Sequence, residues 1–597
     1  MALTKSDFIL ADDCLAKLYF KKNKYPSNAD NSYRDYLARI GHITGYLAQL
    51  TLGPGTEIGL EEGLEQAVQK TKEWLKSNQR GVLFEATFEV EGRLVRVDVL
   101  RKEGKNIELI EVKSSGFDSL QWYGDERKKL LKSLEGKIKD LAFQTAVVER
   151  ALPDCSITPY LSLIDKNTGN EVEGLYGNFV VTQNSGPNKG SVGVAYTGDV
   201  DELLAQFLLF PPVSMQKEVD ALKEEVWRRS EVMVQALQTP SDFEPFKSPR
   251  KMACGTCEFR LKGSDSVRSG FAQCWGADAD VEPHILNIRR DAAFAKVLNP
   301  HVAKGLSDLT KIPADLLQSK EGPRVYGIPA LQMNGVREHF DDAGRNKLKK
   351  AEYPMYFIDF EAVQPAIPFH QGMMPYRSVV LFQWSCHKVA HEGAPVEHFE
   401  FLNTEKGSPN TRFLAALKEV LGDVGTVITW SSYENTQLRK QLVEQLEFDN
   451  LDDSELVDWL RGVLKEKDGG WRQLDLHDDV VKRYYYHHRM GNRTSIKAVL
   501  PAVLSEQQPQ VNRALLQAIG LHQPTENGGL TDPYSLLSGV KDGTQAMTTY
   551  EQLQFGIPDD ATEEREALAR QLLDYCRLDT LSMVLIFNYL KEKEFQA

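Results

Sequence analysis

Residues 82–115 read VLFEATFEVEGRLVRVDVLRKEGKNIELIEVKSS, and this stretch decides the fold of the first half of the chain. Apolar and polar residues alternate in three successive runs, VLFEATFEV, RLVRVDVLR and IELIEVKSS. A period of two is typical of β-strands that bury one face against a core. The stretch therefore predicts three consecutive strands, with Asp98 on the second and with Glu111 and Lys113 on the third.

The sequence after this stretch continues an α/β pattern. Apolar residues recur at helical spacing between residues 127 and 151, and ITPYLSLIDK (157–166) then alternates as a fourth strand. Residues 214–237 are again helical in pattern. Residues 284–350 have the pattern of short helices joined by Pro and Gly, which is typical of a bridge between domains.

A second α/β pattern begins at Tyr353. The predicted strands are PMYFIDFEAV, SVVLFQWSCHKV and TVITWSS, and the predicted helices span residues 414–421, 434–446 and 562–593. Strands that alternate with helices form mixed or parallel sheets covered by helices, so the predicted fold class is α/β. The predicted domains are residues 1–283, a helical bridge at 284–350, and residues 351–597.

The bulk composition is that of a folded globular protein, with 597 residues, 42% hydrophobic and 26% charged. The formal charge of −14 argues mildly against indiscriminate nucleic-acid binding, although local basic patches suffice to hold a phosphate backbone. No apolar run approaches the ~20 residues that span a bilayer. Residues 1–22 mix Asp and Lys into the pattern, unlike a signal peptide. We therefore expect a cytoplasmic protein without membrane partners.

Asp98, Glu111 and Lys113 form a first candidate site. Residues i and i+2 of a strand share a face, so Glu111 and Lys113 point the same way. Two carboxylates on adjacent strands can hold a hard divalent cation. A lysine beside them can position a water and offset charge on a phosphate in the transition state. The pattern alone is short, and two surface residues on a strand would also produce it.

The order of elements around these residues resembles the PD-(D/E)XK nuclease core: a strand, a strand with Asp98, a strand with Glu111 and Lys113, a long helix and a further strand. Gln144 matches the glutamine of the helix motif in RecB-type members, whereas Val148 stands where a tyrosine is often found. The resemblance implies a PD-(D/E)XK restriction-endonuclease-like domain that binds Mg²⁺ or Mn²⁺.

Two further residues are candidates for the same site. Glu85, one strand before Asp98, is expected to be a supporting acid. Family members often place a metal-binding His or Glu on an early helix, and His42 is the nearest match, although a lone histidine is more often structural.

Four of the seven cysteines also fit this family. Iron–sulfur nucleases of the RecB and CRISPR-adaptation exonuclease type place one cysteine before the nuclease core and three after it. Cys14 would join Cys254, Cys257 and Cys274 as ligands of a [4Fe–4S] cluster. The last spacing is longer than the family's commonest form, and four thiolates also suit a structural zinc ion.

Asp359 and Glu361 open a second candidate site, because Asp-X-Glu at the end of an apolar strand resembles the first motif of DEDD exonucleases on an RNase H-like fold. The resemblance implies four acids that hold two cations. Asp579 on the last helix would be the final acid, and Tyr575 one turn earlier would orient the attacking water, as in the DEDDy branch.

The middle acid of this motif is less regular. TWSSYENTQL places Glu434 where aspartate is usual, and Asp475 is the alternative ligand. The stretch 475–504 also resembles a bacterial family of uncharacterised proteins in which a RecB-like module precedes an RNase H-like C-terminal domain.

Two basic stretches could contact a phosphate backbone. Residues 127–139 (RKKLLKSLEGKIK) carry six basic residues against one acid, and a solvated helix face would give the same pattern. Residues 482–497 (KRYYYHHRMGNRTSIK) combine five cations with three tyrosines, which suits a single-stranded nucleic acid. The predicted contacts in the second stretch are Lys482, Arg483, Arg489, Arg493 and Lys497.

These patterns together predict a metal-dependent nuclease with two active sites, the second a 3′-to-5′ exonuclease, that acts on nucleic acid, with DNA favoured. The expected setting is DNA processing, repair or phage defence. No GxxxxGK[ST] stretch is present, so unwinding would need a helicase or defence-system partner. Two alternatives stay open: one centre is degenerate and only binds nucleic acid, or the chain is a non-catalytic scaffold.

Overall fold

The computed structural model describes residues 1–29, 31–183, 192–261, 268–317, 327–447, 454–464, 473–526 and 528–593. The chain forms two compact units, and both are mixed α/β structures, as predicted. Unit 1 contains Met1–Pro249, Thr256–Gly276 and Gln364–Ser378; unit 2 contains Arg250–Gly255, Ala277–Val363 and Val379–Ala597. Within the described ranges, none of the helices has the length and apolar character needed to cross a membrane.

The sheet of unit 1 is built from the strands predicted at residues 82–115 and 157–166. Its strands are β1 (Leu3–Thr4), β2 (Thr56–Glu57), β3 (Arg80–Val90), β4 (Arg93–Glu103), β5 (Asn106–Phe117), β6 (Ser156–Asp165) and β9 (Val213–Ser214), and β7 (Phe179–Gln183) pairs separately with β8 (Val192–Tyr196). The order is β2-β3-β4-β5-β6-β9, with β1 on β4. β3 and β5 both run antiparallel to β4, whereas β6 runs parallel to β5.

Helices cover this sheet. They are α1 (Lys5–Asp13), α2 (Leu15–Lys22), α3 (Asn31–Leu52), α4 (Leu64–Ser77), α5 (Ser119–Tyr123), α6 (Arg127–Ser133), α7 (Glu135–Ala151), α8 (Val200–Ala205), α9 (Gln216–Asp220), α10 (Lys223–Ala236) and α11 (Gly270–Trp275). The helix predicted at residues 127–151 has the predicted ends but is interrupted at Leu134, whose side chain is buried in the core. α7 packs its apolar stripe against β3, β4 and β6.

The N-terminal segment is anchored to this core at three points. Leu3 pairs with Arg93 of β4, and Thr4 caps α1 in a capping box with Asp7. The ring of Phe8 stacks on Phe143 of α7, with centroids 4.6 Å apart and planes inclined by 8°. Both rings are fully buried, so α1 has a fixed position on the unit.

The sheet of unit 2 has the order β13-β12-β11-β14-β15. The strands of this unit are β10 (Glu338–Phe340), β11 (Met355–Val363), β12 (Val380–Val389), β13 (Val396–Leu402), β14 (Thr426–Thr429), β15 (Gln473–Asp475) and β16 (Tyr485–His487). β11, β12 and β13 are antiparallel neighbours, and β14 and β15 run parallel to β11. β10 and β16 form a separate pair. β11, β12 and β14 are the strands predicted from the sequence.

The helices of unit 2 include the three predicted ones. They are α12 (Ala292–Ala303), α13 (Gly327–Met333), α14 (Asp342–Leu348), α15 (Asn410–Leu421), α16 (Tyr433–Glu447), α17 (Ser454–Val463), α18 (Lys482–Tyr484), α19 (Ile496–Leu504), α20 (Gln510–Ala518), α21 (Gly543–Glu551) and α22 (Thr562–Glu592). Buried side chains of β12 fix α22 on the sheet: Gln383 donates to the carbonyl of Leu572 at 2.8 Å, and the hydroxyls of Ser385 and Thr580 lie 2.8 Å apart.

Replacing Phe8 by Ala should destabilise unit 1, because it removes one ring of a fully buried stack. We expect a loss of about 3–5 kcal/mol in the free energy of unfolding, measured by urea denaturation. Ile9→Ala is the control on the same helix, since Ile9 is 38% exposed and should cost little. Equal stability of the two variants would contradict a fixed N-terminal segment.

Two candidate carboxylate sites

In unit 1, the pairing of β4 with each of its neighbours β3 and β5 is interrupted at Asp98. β3 pairs with β4 through Phe84–Val99 and Ala86–Val97 but omits the intervening position, where Glu85 stands opposite Asp98. Glu85 has φ of +60°, which is unusual for a non-glycine residue and locally strained. The pairing of β4 with β5 also stops next to Asp98. The acids therefore lie where the sheet separates.

Glu111 is completely buried and accepts hydrogen bonds from three side chains. The ammonium of Lys5 lies 2.8 Å from Oε1, and the ammonium of Lys113 also contacts Oε1. The amide of Gln144 donates to Oε2 at 2.6 Å. The predicted residues Glu111, Lys113 and Gln144 are thus brought together, with Lys5 as an addition.

Asp98 is held through the backbone, since its Oδ2 accepts the Val112 N–H at 2.8 Å. Burial and the nearby charge of Glu111 raise the pKa of Asp98. Burial would also raise the pKa of Glu111, but the ammonium groups of Lys5 and Lys113 outweigh it and hold that pKa below its ordinary value. Of the two acids, Asp98 is the one that lacks a counter-charge of its own.

A cavity of about 480 Å³ begins at Asp98 and extends toward α3. It is lined by Asp98 and Glu85 from the sheet and by His42 from α3, and the acids Glu57 and Glu61 also line it. His42 and Glu85 therefore line the same cavity as Asp98. Glu85 is also ion-paired with Arg96 at 3.1 Å.

Two residues of this site were not predicted from the sequence. Asp140 contacts the Lys113 ammonium at 2.9 Å and lies 3.4 Å from the Gln144 amide. Its spacing of four residues before Gln144 on one helix was a usable signal. Lys5 lies 106 residues from Glu111 and carried no such signal.

The four candidate cluster cysteines are all half-buried. Cys14, Cys257 and Cys274 are half-buried in unit 1 and pack against its main hydrophobic core. Cys254 belongs to unit 2. Cys386 and Cys576 are buried, and Cys155 is half-buried.

The acids of unit 2 converge more closely. One ligand oxygen from each of Asp359, Glu361 and Asp579 lies within 4.8 Å of the other two. Asp359 and Glu361 lie on one face of β11, and Asp579 comes from α22. Among the residues that the structure describes, these form the one group of three His, Cys, Asp or Glu side chains with ligand atoms this close.

Glu434 lies in the first turn of α16, the helix after β14, and is 2% exposed. Its Oε2 has no hydrogen-bond partner among the described residues, and the charges of Asp475 and Asp579 act on its carboxyl group. Asp475 instead stabilises the local backbone, because its Oδ1 accepts hydrogen bonds from the N–H groups of Ser431 at 3.1 Å and Asp478 at 2.8 Å. Glu434 is therefore the better placed middle acid.

Two tyrosines and a lysine border this group. Tyr575 and Tyr534 both hydrogen-bond to Asp579. The ammonium of Lys497 donates to the Tyr575 hydroxyl at 3.1 Å and lies over both rings. Cys576 places its sulfur 3.5 Å from Oδ2 of Asp359. Tyr534 lies 45 residues from Asp579, and no sequence pattern connects them.

The basic stretch at residues 482–497 is only partly available to a ligand. Tyr485 and Tyr486 are buried, contrary to the expectation of stackable rings, because they form β16 and its core contacts. Four of the five predicted cations are exposed: Lys482, Arg483, Arg489 and Arg493. Lys482 pairs with Asp478 at 2.9 Å, whereas Lys497 points to Tyr575.

Burial dominates the electrostatics of this acidic group, and repulsion between the acids adds to it for Asp359, Glu361 and Glu434. Burial, followed by the charge of Asp579, raises the pKa of Glu361 to about 8. Burial likewise raises the pKa of Glu434 to about 8 and the pKa values of Asp359 and Asp579. Buried carboxylates in this state take up either protons or a cation.

Both units are thus α/β structures with buried acids on a central strand, and the comparisons with known proteins concern the second. A family described as a domain of unknown function (DUF2779) matches residues 356–495. No curated protein and no solved structure matches the chain.

The pKa of Glu361 gives the cation-free protein a specific pH dependence. The folded state keeps a proton that the unfolded state releases above about pH 4.5, so stability falls as pH rises toward 8. Between pH 6 and 9 we expect wild type to lose about 2–4 °C more in Tm than Glu361→Gln. Mg²⁺ should raise the wild-type Tm more at pH 9 than at pH 6.

Glu397→Gln is the matched control, because Glu397 is an exposed acid in the same unit. It should keep the wild-type pH dependence of Tm. Identical curves for wild type and Glu361→Gln would show that Glu361 is already ionised at pH 6.

Proposed function

We propose that the chain is a metal-dependent nuclease with two hydrolytic centres. The first is a PD-(D/E)XK centre at Asp98, Glu111 and Lys113. The second is a DEDD-type 3′-to-5′ exonuclease centre on an RNase H-like domain. Its substrate is nucleic acid, with DNA favoured, in DNA processing, repair or phage defence.

One observation carries the proposal: the convergence of Asp359, Glu361 and Asp579 within 4.8 Å in a buried setting. The residues fit a divalent cation, since hard cations prefer carboxylate oxygens. Burial and repulsion between the acids raise the pKa values of Asp359 and Glu361, and among the described residues Oε2 of Glu434 has no hydrogen-bond donor. Placement on a first strand, a middle helix and the final helix also supports the DEDD interpretation.

Divalent cations held by these acids would supply Lewis acidity and a template for in-line displacement at phosphorus. Tyr575 is placed to orient a water molecule, because its hydroxyl is fixed between Asp579 and the Lys497 ammonium. Lys497 also provides positive charge beside Glu361 and Asp579. The exposed cations Arg483, Arg489 and Arg493 are proposed contacts for the phosphate backbone.

In unit 1, the contacts of Glu111, Lys113 and Gln144 support the PD-(D/E)XK interpretation. Asp98 borders a cavity that could admit a substrate phosphate. Lys113 would offset charge on that phosphate in the transition state.

A second candidate is favoured by the ion pairs of Glu111. This carboxylate already has two ammonium partners, so the first centre could be a nucleic-acid-binding module rather than an active nuclease. In the second centre, which contains the irregular acid Glu434, Lys497 contacts a tyrosine rather than a carboxylate.

For the cysteines we propose a [4Fe–4S] cluster, with structural zinc as the alternative. Either group needs four thiolate donors, and the proposed donors are Cys14, Cys254, Cys257 and Cys274.

The two proposed centres can be separated by mutation. Lys113→Ala and Asp359→Asn should each reduce a different cleavage activity about 10²-fold or more. The activities are measured with Mn²⁺ and end-labelled single- and double-stranded DNA. Lys105→Ala and Asp423→Asn, at exposed positions of the same units, should keep both activities.

Loss of all cleavage in Asp359→Asn alone would reduce the first centre to a binding module. A wild-type protein that binds Mn²⁺ but cuts no form of DNA or RNA would exclude the nuclease function.

The cluster proposal predicts a brown protein that contains iron and acid-labile sulfide. Cys257→Ser should lose the visible absorbance, because a thiolate ligand is removed. Cys155→Ser, the half-buried thiol outside the set, should keep it. A colourless wild type loaded with zinc would favour the structural zinc site instead.

A further inference from the structure

Lys5 is an unexpected member of the first site. It is the first residue of α1, its side chain is 26% exposed, and its ammonium lies 2.8 Å from Oε1 of Glu111. The charges of Asp98 and Asp140 also act on it. A lysine therefore stands among three acids at the point where the strands separate.

The position of Lys5 is set by the segment that carries it. β1 pairs with β4, and the capping box of Thr4 and Asp7 fixes the start of the helix. Asp7 is itself held by the ammonium groups of Lys21 at 2.8 Å and Lys22 at 2.6 Å. These restraints direct the Lys5 side chain toward the acids and limit its movement.

The two lysines on Glu111 differ in their other partners. Lys113 has a second acid, Asp140, at 2.9 Å, so it keeps an ion pair if Glu111 is taken from it. Within the described part of the chain, Glu111 is the one carboxylate that hydrogen-bonds to Lys5. Displacing Lys5 from Glu111 therefore costs less free energy than displacing Lys113.

A divalent cation that binds Glu111 needs a carboxylate oxygen. A carboxylate offers about four acceptor positions, and Lys5, Lys113 and Gln144 occupy three on Glu111. A cation close to Lys5 would also meet a like charge in a buried setting, where such repulsion is strong. Both acceptor positions of Oε1 are taken by ammonium groups, so a divalent cation that binds this oxygen competes with Lys5.

We infer that Lys5 is a positioning residue whose ammonium occupies, beside Glu111, the place that a divalent cation takes when the site is loaded. The inference rests on the function proposed for this site. Lys5 keeps Glu111 oriented without metal and sets the cation concentration at which the site loads. Once displaced, the ammonium stays beside the site, where it faces an anionic phosphate.

The test is Mn²⁺ binding by isothermal titration calorimetry on the full chain carrying Asp359→Asn, so that the second site does not contribute. Added to this parent, Lys5→Met should lower the Mn²⁺ Kd about tenfold, equivalent to about 1.4 kcal/mol. Lys5→Arg keeps the charge and should stay near the parent. Lys105→Met removes an exposed ammonium elsewhere in the same unit and should leave the Kd unchanged.

A cleavage assay gives an independent readout in the chain with an intact second site. Lys5→Met should lower the Mn²⁺ concentration for half-maximal activity of the Lys113-dependent reaction, while KM for the strand changes less. A merely structural role would instead lower Tm and leave the Mn²⁺ dependence unchanged. Lys5→Gln, which retains a polar group, provides a second neutral variant if Lys5→Met folds poorly.

The outcomes separate the inference from the proposed function. If the parent binds Mn²⁺ through Glu111 and Lys5→Met binds it equally well or more weakly, the inference is wrong and the metal site stands. If Lys5→Met binds Mn²⁺ where the parent does not, the inference holds. If neither binds, the metal site proposed for this unit is wrong, and the role of Lys5 is excluded with it.

Discussion

A buried carboxylate must have a positive charge or a proton beside it, and both units of this chain are organised by that requirement. Each places acids on a central strand under a long helix, where Glu111 and Glu361 are buried. Desolvation is then the largest influence on Asp98 in the first unit and on Asp359 in the second. What differs between the units is how the missing charge is supplied.

In the first unit the protein supplies it. Lys5 and Lys113 contact Glu111 directly, and the pKa of this acid falls despite complete burial. In the second unit the pKa values of Asp359 and Glu361 rise, and Lys497 contacts a tyrosine rather than a carboxylate. The first site therefore holds its acids in place without metal, whereas the acids of the second site need cations to balance their negative charge.

The sequence predicted what periodicity and local spacing encode. The strands around Asp98 and Glu111, the helix with Gln144 and the final helix with Asp579 lie where alternation and helical spacing placed them. Lys5 and Tyr534 escaped prediction because their contacts join distant parts of the chain. The strained backbone at Glu85 could not be predicted from the sequence either, because the residues around it alternate as in an ordinary strand.

The extent of the family match bears on what the functional unit is. Residues 356–495 include Asp359, Glu361 and Glu434, but they end before Tyr534 and Asp579. The oxygen from Asp579 is one of the three that converge, and it is held by α22, whose buried hydrogen bonds to β12 fix its position. The matched segment alone therefore supplies two of the three converging ligands. A cation site of this geometry requires the segment and α22 to fold as one body, as they do in unit 2.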